Sequence, residues 1–133
     1  MAARNLICSA VLICVSIAAA MSQENKPIAG IHGLAIDDKD ISKLEVMALD
    51  GDGESAHRLA LHYQMVQPNR KLAIQWATVS AENGSLHGQY MVGFLLRDDP
   101  DSKNRRRARF WLSRAANAGY DLAAQLLREL PNE

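Results

Sequence analysis

From Ile41 almost to the end of the chain, apolar positions recur at spacings of three and four, the period of helices that bury one face. Breaks in that period, marked by glycine, proline or short polar runs, divide it into helices expected at about 40–49, 53–66, 70–82, 85–97, 104–117 and 121–130. No stretch alternates with the period of a strand, so the expectation is an all-α fold. Upstream the pattern differs. Leu6 to Ile17 is an uncharged, largely apolar run preceded by a single charge, Arg4, and followed by Ala18-Ala19-Ala20. Residues 21–40, with Pro27, Gly30 and Gly33, carry scattered charge and read as a linker.

The helical part repeats itself. Ala73 and Ala108, Trp76 and Trp111, Ala81 and Ala116, Gly84 and Gly119, Gly88 and Ala123, and Val92 and Leu127 are each separated by 35 residues. A fainter copy lies 33 residues upstream of the middle one, pairing Ala48 with Ala81, Gly51 with Gly84, Ser55 with Gly88, Leu59 with Val92 and Ala60 with Gly93. The longer joint RDDPDSKN (97–104) stands where QPNR (67–70) stands one unit earlier, so length varies in a loop while helical spacing holds. Residue types explain the pattern. Ala73, Trp76, Ala77 and Ser80 fall on one helical face, as do Ala108, Trp111, Leu112 and Ala115. Small side chains let a neighbouring helix approach, and the indole fills the wider gap beside them. Gly84 and Gly119 suit the left-handed position that ends a helix, and Asn69, Ser85, Ser102 and Asp121 are candidate caps for the helices that follow.

The first twenty residues have the basic start, short apolar centre and small-residue end of a secretory signal peptide, with cleavage expected after Ala20. The run is too short to span a bilayer comfortably, which argues against stable membrane insertion. Both cysteines, Cys8 and Cys14, lie inside it, so the exported chain would rely on packing alone. Its net charge would be about −1. Residues 21–66 carry four basic and eight acidic side chains and residues 67–133 ten and seven, a polarity too weak to suggest nucleic acid.

The unit ARFWLSRAANAGYDLAAQLL (108–127) resembles the Sel1-like repeat, a helix pair related in shape to the tetratricopeptide repeat, with a pattern A-x-x-W-x-x-x-A-A-x-x-G. Ala108, Trp111, Ala115, Ala116, Gly119 and Ala123 fit it; in the middle unit Ala73, Trp76, Ala81, Gly84 and Gly93 fit, while Ser80 and Gly88 stand where alanines are expected. The resemblance covers about residues 41–130, with two clear units and degenerate ends, and implies a short right-handed α-solenoid of antiparallel helix pairs. It also implies a non-enzymatic module that holds a protein partner, with the first helix of each pair lining the binding side. Some bacterial members with export signals are thought to neutralise secreted toxins, including lipase-type ones. An exported, periplasmic or secreted adaptor is therefore the leading expectation, such an immunity protein the alternative, and a hydrolytic enzyme a remote one.

On that geometry, His62, Gln89, Tyr90, Phe94 and Arg97 are candidate partner-binding residues. The run Arg105, Arg106, Arg107 with Arg109 is a second candidate, as a docking patch for an acidic partner. His57 and His62 diverge around a helix, and no zinc-protease or nucleophile-elbow motif is present, so no metal, cofactor or catalytic residue is expected. Asp98, Asp99 and Asp101 flank Pro100 and read as an exposed loop. Dimerisation stays open, because a short array has uncovered ends.

Overall fold

In the computed structural model, which describes residues 33–131, six helices follow one another: α1 (Asp38–Leu49), α2 (Gly53–Leu61), α3 (Arg70–Glu82), α4 (Leu86–Leu96), α5 (Ser102–Asn117) and α6 (Asp121–Glu129). No strand occurs among the described residues. The expected signal peptide and residues 21–32 of the expected linker lie outside them. The rest of that linker is more ordered than its composition suggested. Ile36 is buried and its backbone N–H donates to His62 Nδ1 at 3.3 Å. Helix α1 then starts at Asp38, with Asp38 and Asp40 in the first turn, where the helix dipole favours negative charge.

One backbone motif, used three times, sets the joints. Gly51, Gly84 and Gly119 have φ of 106°, 87° and 88°. Each glycine donates its N–H to the carbonyl three residues back, and the next residue donates to the carbonyl five residues back: Asp52 to Met47, Ser85 to Ser80 and Tyr120 to Ala115, at 3.0–3.1 Å. This is the Schellman closure, and only glycine takes its left-handed position without strain. The residue after each glycine is already the N-cap of the next helix, so the chain reverses within one or two residues. The Asp52 and Ser85 side chains accept from the N–H groups of Glu54 and Gly88.

The remaining caps depart partly from expectation. Asn69 caps α3 through the N–H of Leu72. Asp101, rather than Ser102, caps α5 by accepting from Lys103 N–H at 2.9 Å, and Tyr120 rather than Asp121 occupies the cap position of α6. The helix expected over 53–66 is α-helical only to Leu61, and its last turn, His62–Val66, widens to a π-helix. In that wider turn the adjacent residues His62 and Tyr63 are both buried.

Consecutive helices pack on one another, and α2 also packs on α4, α4 on α6, and α1 on α3. Helices α2, α4 and α6 therefore make one layer, and α1, α3 and α5 the other. Trp76 and Trp111 are buried between them beside Ala73, Ala77, Ala108 and Ala115. Close approach decides two residue choices. A Cβ on Gly88 would lie 2.3 Å from Ser80 Oγ and 2.6 Å from the Ala81 nitrogen, and one on Gly93 would lie 2.3 Å from Leu112 Cγ. Where the middle unit has a serine for an alanine, the opposing helix has lost its methyl.

Candidate partner-binding face

The layer of α2, α4 and α6 carries a strip of aromatic rings that crosses the repeats. The His57 and His87 rings stack, with centroids 5.3 Å apart and planes inclined 23°. The edge of His87 meets Tyr120 at 5.6 Å, Tyr120 meets Tyr90 at 5.6 Å, and Tyr90 meets Phe94 at 6.2 Å. The guanidinium of Arg97 closes the strip 4.3 Å above the Phe94 ring, while its Nε donates to Asp98 at 2.9 Å. These rings stay open to solvent: Phe94 and His87 are exposed and His57, Tyr90 and Tyr120 half-buried. Beside them Tyr90, Arg97, Leu122, Gln125 and Glu129 border a recess of about 150 Å³.

Repeat register produces the strip. Residues of the first helix of each pair (α2, α4 and α6) that point toward the next unit recur every 33 or 35 positions, so Glu54 and His87 are equivalent, as are His57, Tyr90 and Gln125. Helix α4 packs between α2 and α6, which brings His57 of one unit against His87 of the next and sets Tyr120 against both His87 and Tyr90.

At the α2 end the strip is polar. Glu54 Oε1 accepts from the Ser85 hydroxyl at 2.7 Å and faces His87 Nδ1 at 3.4 Å. The Ser85 hydroxyl, ahead of His87, holds the Glu54 carboxyl below its ordinary value. Burial of His57 lowers its pKa and outweighs the opposing pull of Glu54. Its Nδ1 is buried without a hydrogen-bond partner. Stacked imidazoles offer each other faces rather than lone pairs. Among the described residues no group of three His, Cys, Asp or Glu side chains is arranged to hold a metal ion.

The expected binding residues divide. Tyr90, Phe94 and Arg97 lie together on this strip. His62 and Gln89 are only 5% and 4% exposed and present nothing to a partner. His62 instead accepts from Ile36 and meets the Tyr63 ring edge-on at 5.3 Å. Arg105 braces the preceding loop by donating to the carbonyls of Asp99 and Pro100 at 2.9 and 3.0 Å. Asp99 in that loop also accepts from Asn104 Nδ2 at 3.0 Å and lies 3.6 Å from Arg70, so the aspartates are tied into the joint. Arg106, Arg107 and Arg109 lie on α5, in the other layer, and Arg109 donates to the Pro131 carbonyl. Glu54, His57 and His87 were not among the sequence candidates for binding, and Tyr120 was read only as a core or interface residue. The signal for them was the register itself, read across units rather than along one helix.

No helix among the described residues is long and apolar enough to cross a membrane. No curated protein and no solved structure matches the chain significantly. The Sel1 repeat description, by contrast, matches residues 53–85 and 86–120, just over half of the chain. The boundary between the two matches falls at Ser85, the cap where α3 turns into α4. Repeats of this kind generally serve as non-catalytic scaffolds for protein–protein contact. An all-α array of paired helices, closed three times by the same glycine turn and matched over both of its full units, belongs to the Sel1 repeat family.

Proposed function

We propose that this chain is an exported adaptor or regulator that binds one protein partner along the α2–α4–α6 face, with Tyr90, Phe94 and Arg97 at the centre of the contact. The ring strip carries this reading. Interiors take up aromatic surface wherever packing permits, yet here five rings run along the outer side of α2, α4 and the turn into α6, each at least partly open to solvent. Rigid amphipathic rings beside an arginine are the residues that most often anchor interfaces. Export is supported by the signal-like pattern of residues 1–20.

A photo-crosslinking residue placed at Phe94, compared with one at the exposed Gln75 on the other layer, tests the contact. One partner is expected to crosslink from position 94 and not from 75, and Phe94→Asp should abolish its capture from an envelope extract. Crosslinking from position 75 alone, or undiminished capture by Phe94→Asp, would overturn the assignment of the face. Mass determination of the processed N-terminus tests export separately, with Met21 expected as the first residue.

A further inference from the structure

Repeat register gives each contact between the first helices of neighbouring units one pair of facing residues. Between α4 and α6 the pair is Tyr90 and Leu122, which border the same recess. Between α2 and α4 the equivalent pair is His57 and His87, whose rings stack with centroids 5.3 Å apart. Two imidazoles stack comfortably while neutral. Charged together, they would hold two cations face to face across that 5.3 Å. A single carboxylate faces them. Glu54 Oε1 lies 3.4 Å from His87 Nδ1 and accepts from the Ser85 hydroxyl at 2.7 Å. It balances one positive charge and not two.

The two rings also differ in what surrounds a proton. His87 is exposed and has Glu54 beside it. His57 is half-buried, and its Nδ1 is enclosed without a hydrogen-bond partner, so a proton there would be a buried donor with no acceptor. Among the described residues, Glu54 and His87 are the titratable groups that act on His57, and burial outweighs the attraction of Glu54. Helices α1 and α3, which also pack on α2, add no charge to it. The turn into α6 brings the Tyr120 ring against His87 at 5.6 Å, and no carboxylate.

Charging both rings therefore requires the stack to open, with His57 swinging out to solvent. The α2 end of the strip is lost with it. His87 is also the ring that Tyr120 meets, and Tyr120 meets Tyr90 at 5.6 Å. A continuous line of contacts thus joins the stacked pair to the centre of the binding face.

We infer, on the partner-binding reading of this strip, that the stacked pair is a proton-operated gate: with both rings neutral the strip is assembled and holds its partner, and with both charged the stack opens and the partner is released. Linkage fixes the direction. A partner that covers the strip deepens the burial of the neutral pair and so opposes its protonation, and protons oppose the partner to the same degree. Binding is strongest above the ordinary imidazole range and weakens below it.

Two measurements on the full chain test the gate. Nuclear magnetic resonance follows the imidazole and tyrosine ring protons from about pH 8 to about pH 5. The His57 and His87 signals are expected to lose the mutual ring-current shift of the stack together, with Tyr120 responding in the same step and the helical circular-dichroism spectrum unchanged. The yield of the crosslink from position 94 should fall roughly tenfold between about pH 7.5 and about pH 5.5. In His57→Gln/His87→Gln the ratio of the two yields should approach one. A stack that persists through the titration overturns the gate. So does a crosslink of equal yield at both pH values, or a ratio that the double variant leaves unchanged, which would place the titrating groups on the partner. No crosslink from position 94 at either pH overturns the partner-binding reading itself, and the gate falls with it.

Discussion

The joint between α3 and α4 and the joint between α5 and α6 share a backbone and differ in almost every side chain around it. Both close through a glycine with φ near 90° and the same pair of hydrogen bonds. At the first joint, three positions are polar and reach back to the preceding joint, between α1 and α2. Ser80 Oγ donates to the Gly53 carbonyl at 2.7 Å, Asn83 Nδ2 to the Ala48 carbonyl at 2.8 Å, and Ser85 Oγ to Glu54 at 2.7 Å. At the second joint those positions are Ala115, Ala118 and Tyr120, and Ala115 and Tyr120 join an apolar cluster with Leu112, Ala123 and Leu126. The turn is a backbone requirement, and the stitching between units is a separate choice. Inside the array, hydrogen bonds to the previous joint lock the register; at its end, apolar and aromatic contact does.

The largest expected effect comes from the residue the two units share. Trp111→Ala should cost about 3–5 kcal/mol in urea unfolding, because the ring is buried and its removal leaves a cavity. Trp76→Ala should cost a similar amount. A loss below about 1 kcal/mol at either site would mean that the two units are not packed alike.

The small-residue positions separate the joints. Gly88→Ala at the first should destabilise by about 1–3 kcal/mol through overpacking, since the new methyl meets the Ser80 side chain and the Ala81 nitrogen, the latter at 2.6 Å. Ser80→Ala removes the oxygen but leaves that backbone contact, so the double substitution should recover only part of the loss. At the second joint the equivalent position already holds a methyl, in fully buried Ala123. There the opposite change, Ala123→Gly, should destabilise, by about 1 kcal/mol from helix propensity alone. Urea midpoints of the four variants measure the contrast. If Gly88→Ala proved stabilising, α3 and α4 would have to be able to move apart.

Much of this contrast was legible before the structure. The 35-residue period located both tryptophans, both glycines and the Ser80–Gly88 exchange, because helix packing demands small residues at fixed offsets. Less visible were choices made between adjacent residues. Whether Asp101 or Ser102 caps α5 depends on which one leaves helical backbone first, and either side chain could accept. The π-helical turn after Leu61 was hidden because the apolar spacing on either side of it is unchanged. Two misjudged residues were readable from the repeat itself. Gln89 stands in the register of Ala56, and His62 in that of Leu95, and both of those equivalents are buried. Polarity suggested a surface where position already indicated the interior.

The glycine turns should respond alike, which tests the shared half of the comparison. A Cβ at Gly84 or Gly119 meets nothing within 4 Å, so Gly84→Ala and Gly119→Ala carry only the left-handed backbone penalty, about 1–2 kcal/mol each. Unequal losses in thermal or urea unfolding would show that one turn relaxes and that the backbones are less alike than their dihedral angles.

The smallest effect is the response to pH, and it belongs to the first joint alone. His57 has Tyr90 and Gln125 as its equivalents, so no later unit carries an imidazole at that position. Burial depresses its pKa below the ordinary 6.5, against the weaker upward pull of Glu54. The unfolded chain then binds a proton that the folded chain resists, and stability rises with pH across this range. The contribution of the neutral ring is complete above about 6.5 and declines as pH falls through the folded value. Glu54, Asp52 and Asp99 are also depressed from 4.5, 3.8 and 3.8, but their contribution is lost only at lower pH. Urea midpoints should therefore drop in two stages on acidification, first with His57 and later with the carboxylates. His57→Gln should flatten the first stage and leave the second. The stacked neighbour His87 is the control: if His87→Gln removed the first stage while His57→Gln did not, the titrating ring would be the exposed one, and burial at the joint would not be its cause.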